Sequence, residues 1–182
     1  MMFTDAQQRA LIEIARAAVT EAITGRHADA PRPWDLGPLP EATGAFVTLK
    51  RDGQLRGCIG TLACTRPLAE EIARVAVSAA REDPRFDPLR QAELDALDVE
   101  VSILGPLEAI DPRDPGAIEI GRHGLVVEQG RRRGLLLPQV AADWGWDRVQ
   151  FLAHTCTKAG LPDDCWRKGA KVYRFAADVF GG

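Results

Sequence analysis

The chain has 182 residues, 46% of them hydrophobic and 27% charged, with a formal net charge of −3 at pH 7. That is enough chain to bury a sizeable core, as one domain over residues 1–182 or as two small intimately packed lobes. The slightly acidic balance argues against a nucleic-acid-binding surface, which carries clustered positive charge. No apolar run reaches the roughly 20 residues needed to cross a bilayer.

Thr4-Asp5-Ala6-Gln7 has the form of a capping box and opens an amphipathic helix. Its stripe is Leu11, Ala15, Ala18 and Ala22, widened by Ile12 and Val19, and Gly25 ends it. Residues 31–40 hold four prolines and read as an irregular connection anchored by a packed Trp34. Strands are expected over 45–50 and 54–62, joined by the turn Asp52-Gly53. Pro67 opens a helix with the stripe Leu68, Ile72, Val75 and Ala79, and Pro84 stops it. Asp83 to Phe86 reads as a rigid turn that sends Phe86 into the core, or as a loop that walls a pocket. Over 98–104 the residues alternate, Val99, Val101 and Ile103 against Asp98, Glu100, Ser102 and Leu104, as in a half-buried strand.

Further strands are expected over 117–120, 125–128 and 134–137, before a short helix started by Pro138. Arg131-Arg132-Arg133 reads as a solvated hairpin turn. Asp147-Arg148-Val149-Gln150 is a second capping box, with Val149, Leu152, Cys156 and Ala159 as its stripe and Gly160-Leu161-Pro162 as its stop. A last strand falls near 172–176. Mixed helices and hairpins without long crossovers define an α+β fold with mainly antiparallel pairing.

A shift of 77 positions lays Gly44 on Gly121, Gly53 on Gly130, Arg56 on Arg133 and Gly57 on Gly134. Both copies read strand, glycine turn, Arg-Gly, apolar strand, then a proline-started helix, which is the pattern of an internal duplication. Leu135 stands in the second copy where the first has Cys58, so the thiol is an addition to one half rather than a demand of the scaffold.

Leu55-Arg56-Gly57-Cys58-Ile59-Gly60 is the richest stretch for chemistry. On a strand, Arg56 and Cys58 leave the same face, and Gly57 and Gly60 bracket the thiol where a ligand or another backbone can come close. Cys58 has three readings: a nucleophile activated by the field of Arg56, a transient metal ligand, or a small packing residue. Arg56 needs a carboxylate or a bound anion, and Glu100 is its candidate partner. The pair is either a structural bridge or part of a pocket with Cys58, Ser102 and Arg133. His27, His123 and His154 are scattered, and His154 reads as a partly exposed helix residue. Trp144, Trp146 and Trp166 read as packing aromatics.

Cys58, Cys64, Cys156 and Cys165 form no C-x-x-C pair and fit neither a zinc ribbon nor a dense disulfide scaffold. They read as reduced thiols of a cytoplasmic protein, with no metal site and no cofactor. The absence of a basic segment followed by an apolar core argues against a secretory signal.

The segments Gly44–Leu49, Leu55–Gly60, Glu82–Phe86, Val99–Ser102, Gly124–Val127, Arg133–Val140 and Lys158–Pro162 resemble, in colinear order, the AMMECR family. That family is named after the Alport syndrome, mental retardation, midface hypoplasia and elliptocytosis chromosomal region. Its prokaryotic members are called AmmeMemoRadiSam system protein A. The resemblance implies a curved, barrel-like, mainly antiparallel sheet built from two duplicated hairpin-plus-helix units with flanking helices. It implies no settled reaction, and it links such chains to a Memo-like protein and a radical S-adenosylmethionine protein that holds its own iron–sulfur cluster. The expected activity is that of a binding module for a small anion, nucleotide or peptide, or else of an enzyme or enzyme subunit with Cys58 as nucleophile.

Overall fold

The computed structural model describes residues 2–181; Met1 and Gly182, which the single-domain span above includes, lie outside them. In chain order the elements are α1 (Asp5–Thr24), β1 (Gly44–Arg51), β2 (Gln54–Thr61), α2 (Leu68–Arg81), β3 (Leu97–Leu104), β4 (Glu108–Ile110), β5 (His123–Gln129), β6 (Arg132–Leu136), α3 (Pro138–Asp143), α4 (Arg148–Lys158) and β7 (Lys171–Gly181). The chain divides into two compact units, the first taking residues up to Leu104 with those from Asp178 onward, the second Gly105–Ala177.

In the first unit β1 pairs antiparallel with both β2 and β3. One face of these strands is apolar because Ala45, Val47 and Leu49 alternate with Phe46, Thr48 and Lys50, which leave the other way, and Val99, Val101 and Ile103 line the same apolar face on β3. Helices α1 and α2 cover that face with Leu11, Ala15, Val19, Ile72, Val75 and Ala79. Burying a side chain such as Leu11 or Ile72 contributes about 1.5–3 kcal/mol. The capping box of α1 forms as expected: Gln7 N–H donates to Thr4 Oγ1 at 3.3 Å and Thr4 N–H donates to Gln7 Oε1 at 3.0 Å.

The second unit repeats the arrangement, with β5 antiparallel to both β6 and β7, and β4 on the other side of β7. Its own core joins Leu125, Val127, Phe151, Leu152, Cys156 and Trp166. Thus each unit is a hairpin, a third strand beside the hairpin's first strand, and a helix against the hairpin. A glycine makes that helix contact possible in each. A Cβ on Gly57 would overlap the backbone carbonyl of Ala79 on α2, and one on Gly134 would overlap the backbone of Ala159 at the end of α4. The α+β class and the duplicated units agree with the sequence.

Several local expectations are overturned. Residues 117–120 form no strand: Ala117 N–H donates to Asp114 O in a turn, and Ala117 and Ile118 serve the core instead. Trp34 is 72% exposed, with the Arg32 guanidinium 5.6 Å from its ring centroid, so it does not anchor the proline-rich connection by burial. In the Asp83–Phe86 turn the buried side chains are Asp83 and, further on, Leu89, while Phe86 stays half-exposed. On α4 the buried face is Phe151, Leu152, Thr155 and Cys156, rotated away from Val149. Trp166 is buried as expected, but Trp144 is 71% exposed and stacks on Trp146 with centroids 6.1 Å apart.

The cysteine reading also changes. Cys156 and Cys165 form a disulfide, because the turn at Cys165–Arg167 folds back on α4 and brings their Cα atoms to 6.1 Å. Among the described residues Cys58 and Cys64 are the free cysteines. The bridge closes a nine-residue separation, which corresponds to about 3 kcal/mol of unfolded-state entropy. Replacing both cysteines with serine is therefore expected to lower the stability by about 3 kcal/mol, read as a lower denaturant midpoint. An unchanged midpoint would show that the bridge does not form in solution.

Candidate functional site

Cys58 owes its position to a β-bulge. Across the hairpin Arg51 faces Gln54 and Lys50 faces Leu55, but Leu49 then faces Gly57 and Thr48 faces Cys58. Arg56 is the extra residue. Had the turn's register continued unbroken, Cys58 would have faced Val47, a fully buried core residue. The bulge moves the thiol to the opposite face and turns Gly57 toward α2. The β5–β6 ladder of the second unit, by contrast, runs without a shift from Gln129↔Arg132 to Leu125↔Leu136.

On the face away from the helices, Cys58, Thr48 and Glu100 form one row across β2, β1 and β3. Thr48 Oγ1 lies 3.3 Å from Cys58 Sγ with hydrogen-bonding geometry, donating to the sulfur. Lys50 Nζ lies 2.8 Å from Glu100 Oε2. All four side chains are half-buried. The next row is Gly60, Phe46 and Ser102, with Ser102 buried and the Phe46 ring lying where a Gly60 Cβ would be. Gly60 and Gly57 are therefore packing glycines, and neither opens a ligand approach to the thiol. The corresponding row of the second unit is Leu135, Val126 and Tyr173. The scaffold is shared, but at this row the second unit has no thiol or carboxylate; its charged row is Arg133, Glu128 and Lys171, one step nearer the hairpin turn.

Beyond β1, the backbone edge of β2 at Cys58 is closed by the turn after α2. Cys58 N–H donates to Asp83 Oδ2 at 2.9 Å, and Arg85 Nη2 donates to the Cys58 carbonyl at 3.4 Å. Arg85 also binds both carboxylate oxygens of Asp83, at 3.0 and 2.7 Å. The Arg85 hydrogen bonds, with those from the Cys58 and Arg85 N–H groups, hold the Asp83 carboxyl far below the usual carboxylate range despite its burial. The edge is thus capped by a charged pair and cannot pair with another strand.

Arg56 does not join the thiol and does not bridge Glu100. The bulge re-aims it, so that Nε and Nη2 grip Glu93 at 2.8 and 3.1 Å while Nη1 donates to the Asp87 carbonyl at 2.9 Å. With Arg51, Gln54, Leu55 and Glu93 it lines a separate hollow of about 420 Å³. The hydrogen bonds of Arg56 hold Glu93 down at about 2. A depressed carboxylate contributes stability that is complete above its unfolded value and is lost as pH falls through the folded one. Stability is therefore expected to fall between about pH 4.3 and 2, and Glu93→Gln should flatten that part of the acid limb in a pH series of denaturant melts. An acid limb identical to wild type would contradict the pairing.

Arg133 lies on β6 of the second unit, exposed and opposite Glu128, and is no part of the polar face on β1–β3. Thr48, Lys50 and Glu93 are partners that the sequence did not single out, whereas the Asp83–Phe86 turn does lie against Cys58, as its reading as a pocket wall has it. The turn at Asp52-Gly53 points to Thr48 and Lys50 once the extra residue is counted, whereas nothing local marks Glu93.

The arrangement offers a thiol that accepts a hydrogen bond from the Thr48 hydroxyl, with the Lys50–Glu100 ion pair beside it. No histidine belongs to β1, β2 or β3. The second free thiol, Cys64, is pushed up by burial and by Glu71, which disfavours its thiolate.

Such a chain is an α+β protein of duplicated hairpin-plus-helix units with one polar, cysteine-bearing sheet face. Its sequence matches the AMMECR1 family over residues 12–180, and the chain belongs to that family. It is 48% identical over 178 residues to a protein of Methanothermobacter thermautotrophicus, covering 94% of this chain and 92% of the relative. It is 49% identical over 180 residues to a protein of Thermococcus gammatolerans, covering 93% and 87%. The crystal structure of the uncharacterized protein PH0010 from Pyrococcus horikoshii superposes with a TM-score of 0.86 at 44% identity, covering all of this chain and 94% of that one.

Proposed function

We propose that this chain is a binding module whose site is the polar face of β1–β3, and that Cys58, Thr48, Lys50 and Glu100 contact a small polar ligand there, Ser102 being buried beside them. The observation that carries this is the replacement of the row Leu135–Val126–Tyr173 by Cys58–Thr48–Glu100 on an otherwise repeated scaffold. These half-buried groups pair with one another, Thr48 with Cys58 and Lys50 with Glu100, so a ligand would exchange those contacts for its own. The ligand class is an anion, nucleotide or peptide, recognised by the Lys50 ammonium and the Thr48 hydroxyl. Arg56 supports the site from beneath the bulge, holding the register that presents the thiol.

The catalytic alternative gives Cys58 the role of nucleophile. The Thr48 hydroxyl 3.3 Å from its sulfur favours that reading, and Lys50 or Glu100 would take the proton. Family membership supports a place beside a Memo-like protein and a radical S-adenosylmethionine protein whose cluster does the redox chemistry. A reducing cytoplasm suits such a partner, and the disulfide would persist there because its cysteines are 0% and 2% exposed.

The test is a ligand-observed NMR screen of nucleotides, amino acids and dipeptides against the full chain, Lys50→Met and Thr48→Val. Hits that weaken at least about tenfold in both variants support the reading, since each removes a hydrogen bond to the ligand. Hits indifferent to both variants, or no hits at all, count against it. Turnover of a hit that stops in Cys58→Ser but survives binding would favour the catalytic alternative.

A further inference from the structure

The second unit gathers three arginines around one hollow without a carboxylate to neutralise them. Arg113, Arg148 and Arg167, with Trp166, line a space of about 320 Å³. Each guanidinium is fixed by an uncharged neighbour. Arg113 Nη2 donates to the Arg167 carbonyl at 3.4 Å, and Arg148 Nη1 donates to the Pro112 carbonyl. The Arg167 guanidinium sits 4.5 Å from the Trp166 ring centroid. Among the described residues, no carboxylate lies within ion-pair distance of any of the three.

Acids close in sequence have other partners, Asp114 Oδ1 accepting from the Gly116 N–H. Asp111 Oδ1 receives the Arg113 N–H, Asp147 Oδ1 receives the Gln150 N–H, and Asp164 Oδ2 pairs with Lys168. A guanidinium has five N–H donors, and the contacts above use one each on Arg113 and Arg148. Three like charges, held in place by neutral contacts with most of their donors unspent, form a preorganised receptor for a compact multiply charged anion. Tetrahedral phosphate matches the arginine fork in two-point contact.

We propose that this hollow binds a phosphate dianion, free or as the monoester of a small molecule. At about 320 Å³ the space exceeds a phosphate group and leaves room for a small ester substituent. The site is independent of the polar face on β1–β3, so either can fail without the other.

Isothermal titration of the full chain in chloride buffer, with inorganic phosphate and with phenyl phosphate, tests it. Binding of one or both is expected, weakened at least about tenfold by Arg148→Gln and by Arg167→Gln, each removing a charge-assisted contact. Arg174→Gln, whose guanidinium pairs with Glu108, should leave the affinity unchanged. Tighter phenyl phosphate would point to an esterified ligand, and equal affinities to free phosphate. Should a variant fail to fold, the wild-type melting temperature should still rise with phosphate and not with chloride of equal ionic strength. Absent heat with both probes, or affinities unchanged in the arginine variants, would overturn the proposal.

Discussion

Alanine at Gly57 is expected to destabilise the protein by about 2–3 kcal/mol, and alanine at Gly134 by a similar amount. In both places the new methyl meets helix backbone, Ala79 in one unit and Ala159 in the other. Backbone cannot rotate aside as a side chain can, so the strand and helix must separate and open space in the core. Denaturant melts measure the loss. The comparison substitution is Gly116→Ala, where the nearest atom to a new methyl is an aspartate side-chain oxygen at 3.5 Å, and it should cost far less. Equal, small effects at all three positions would contradict the packing that both units share.

Asp83→Ala is expected to cost about 3 kcal/mol, chiefly by leaving the Cys58 N–H without its ionised acceptor. The Arg85 pairing adds little to that figure, because the Arg85 side chain is 54% exposed and its charge is screened. The substitution should also speed alkylation of Cys58, since the turn over that strand edge would be released. The sign of the pH effect is fixed by the depressed carboxyl. Its stabilisation is complete above an ordinary aspartate value of about 3.9 and is lost below it, so Asp83→Asn should lose least relative to wild type in strong acid. An Asp83→Ala variant as stable as wild type at neutral pH would show that the edge of β2 needs no cap.

Much of the architecture can be read from residue order. The capping boxes at Thr4 and Asp147 and the turn at Asp52-Gly53 act through local geometry and appear in the structure, while the alternation read over 98–104 holds only as far as Val101, with Ser102 and Leu104 buried as well. The Arg-Gly repeat was visible too, because its glycines answer to a contact made twice. The partners of Arg56 were not visible. A one-residue bulge changes which residues face each other without altering composition or periodicity, so Glu100 was a natural but mistaken partner and Glu93 the real one. Aromatic burial failed for a similar reason. Trp34, Phe86 and Trp144 sit in turns and connections whose direction is set by distant contacts, and hydrophobicity alone did not place them. The Cys156–Cys165 bridge likewise depends on a turn that folds back on α4.

The bulge matters most, since it separates a thiol facing the apolar core from one on a reachable polar face. Iodoacetamide labelling of the folded protein, followed by peptide mass spectrometry, distinguishes the two most directly. Cys58 should be modified in native conditions and ahead of Cys64, and Thr48→Val should change the rate at Cys58 while leaving Cys64 as it was. Modification of Cys58 only after unfolding in urea would place its sulfur in the core and remove the site.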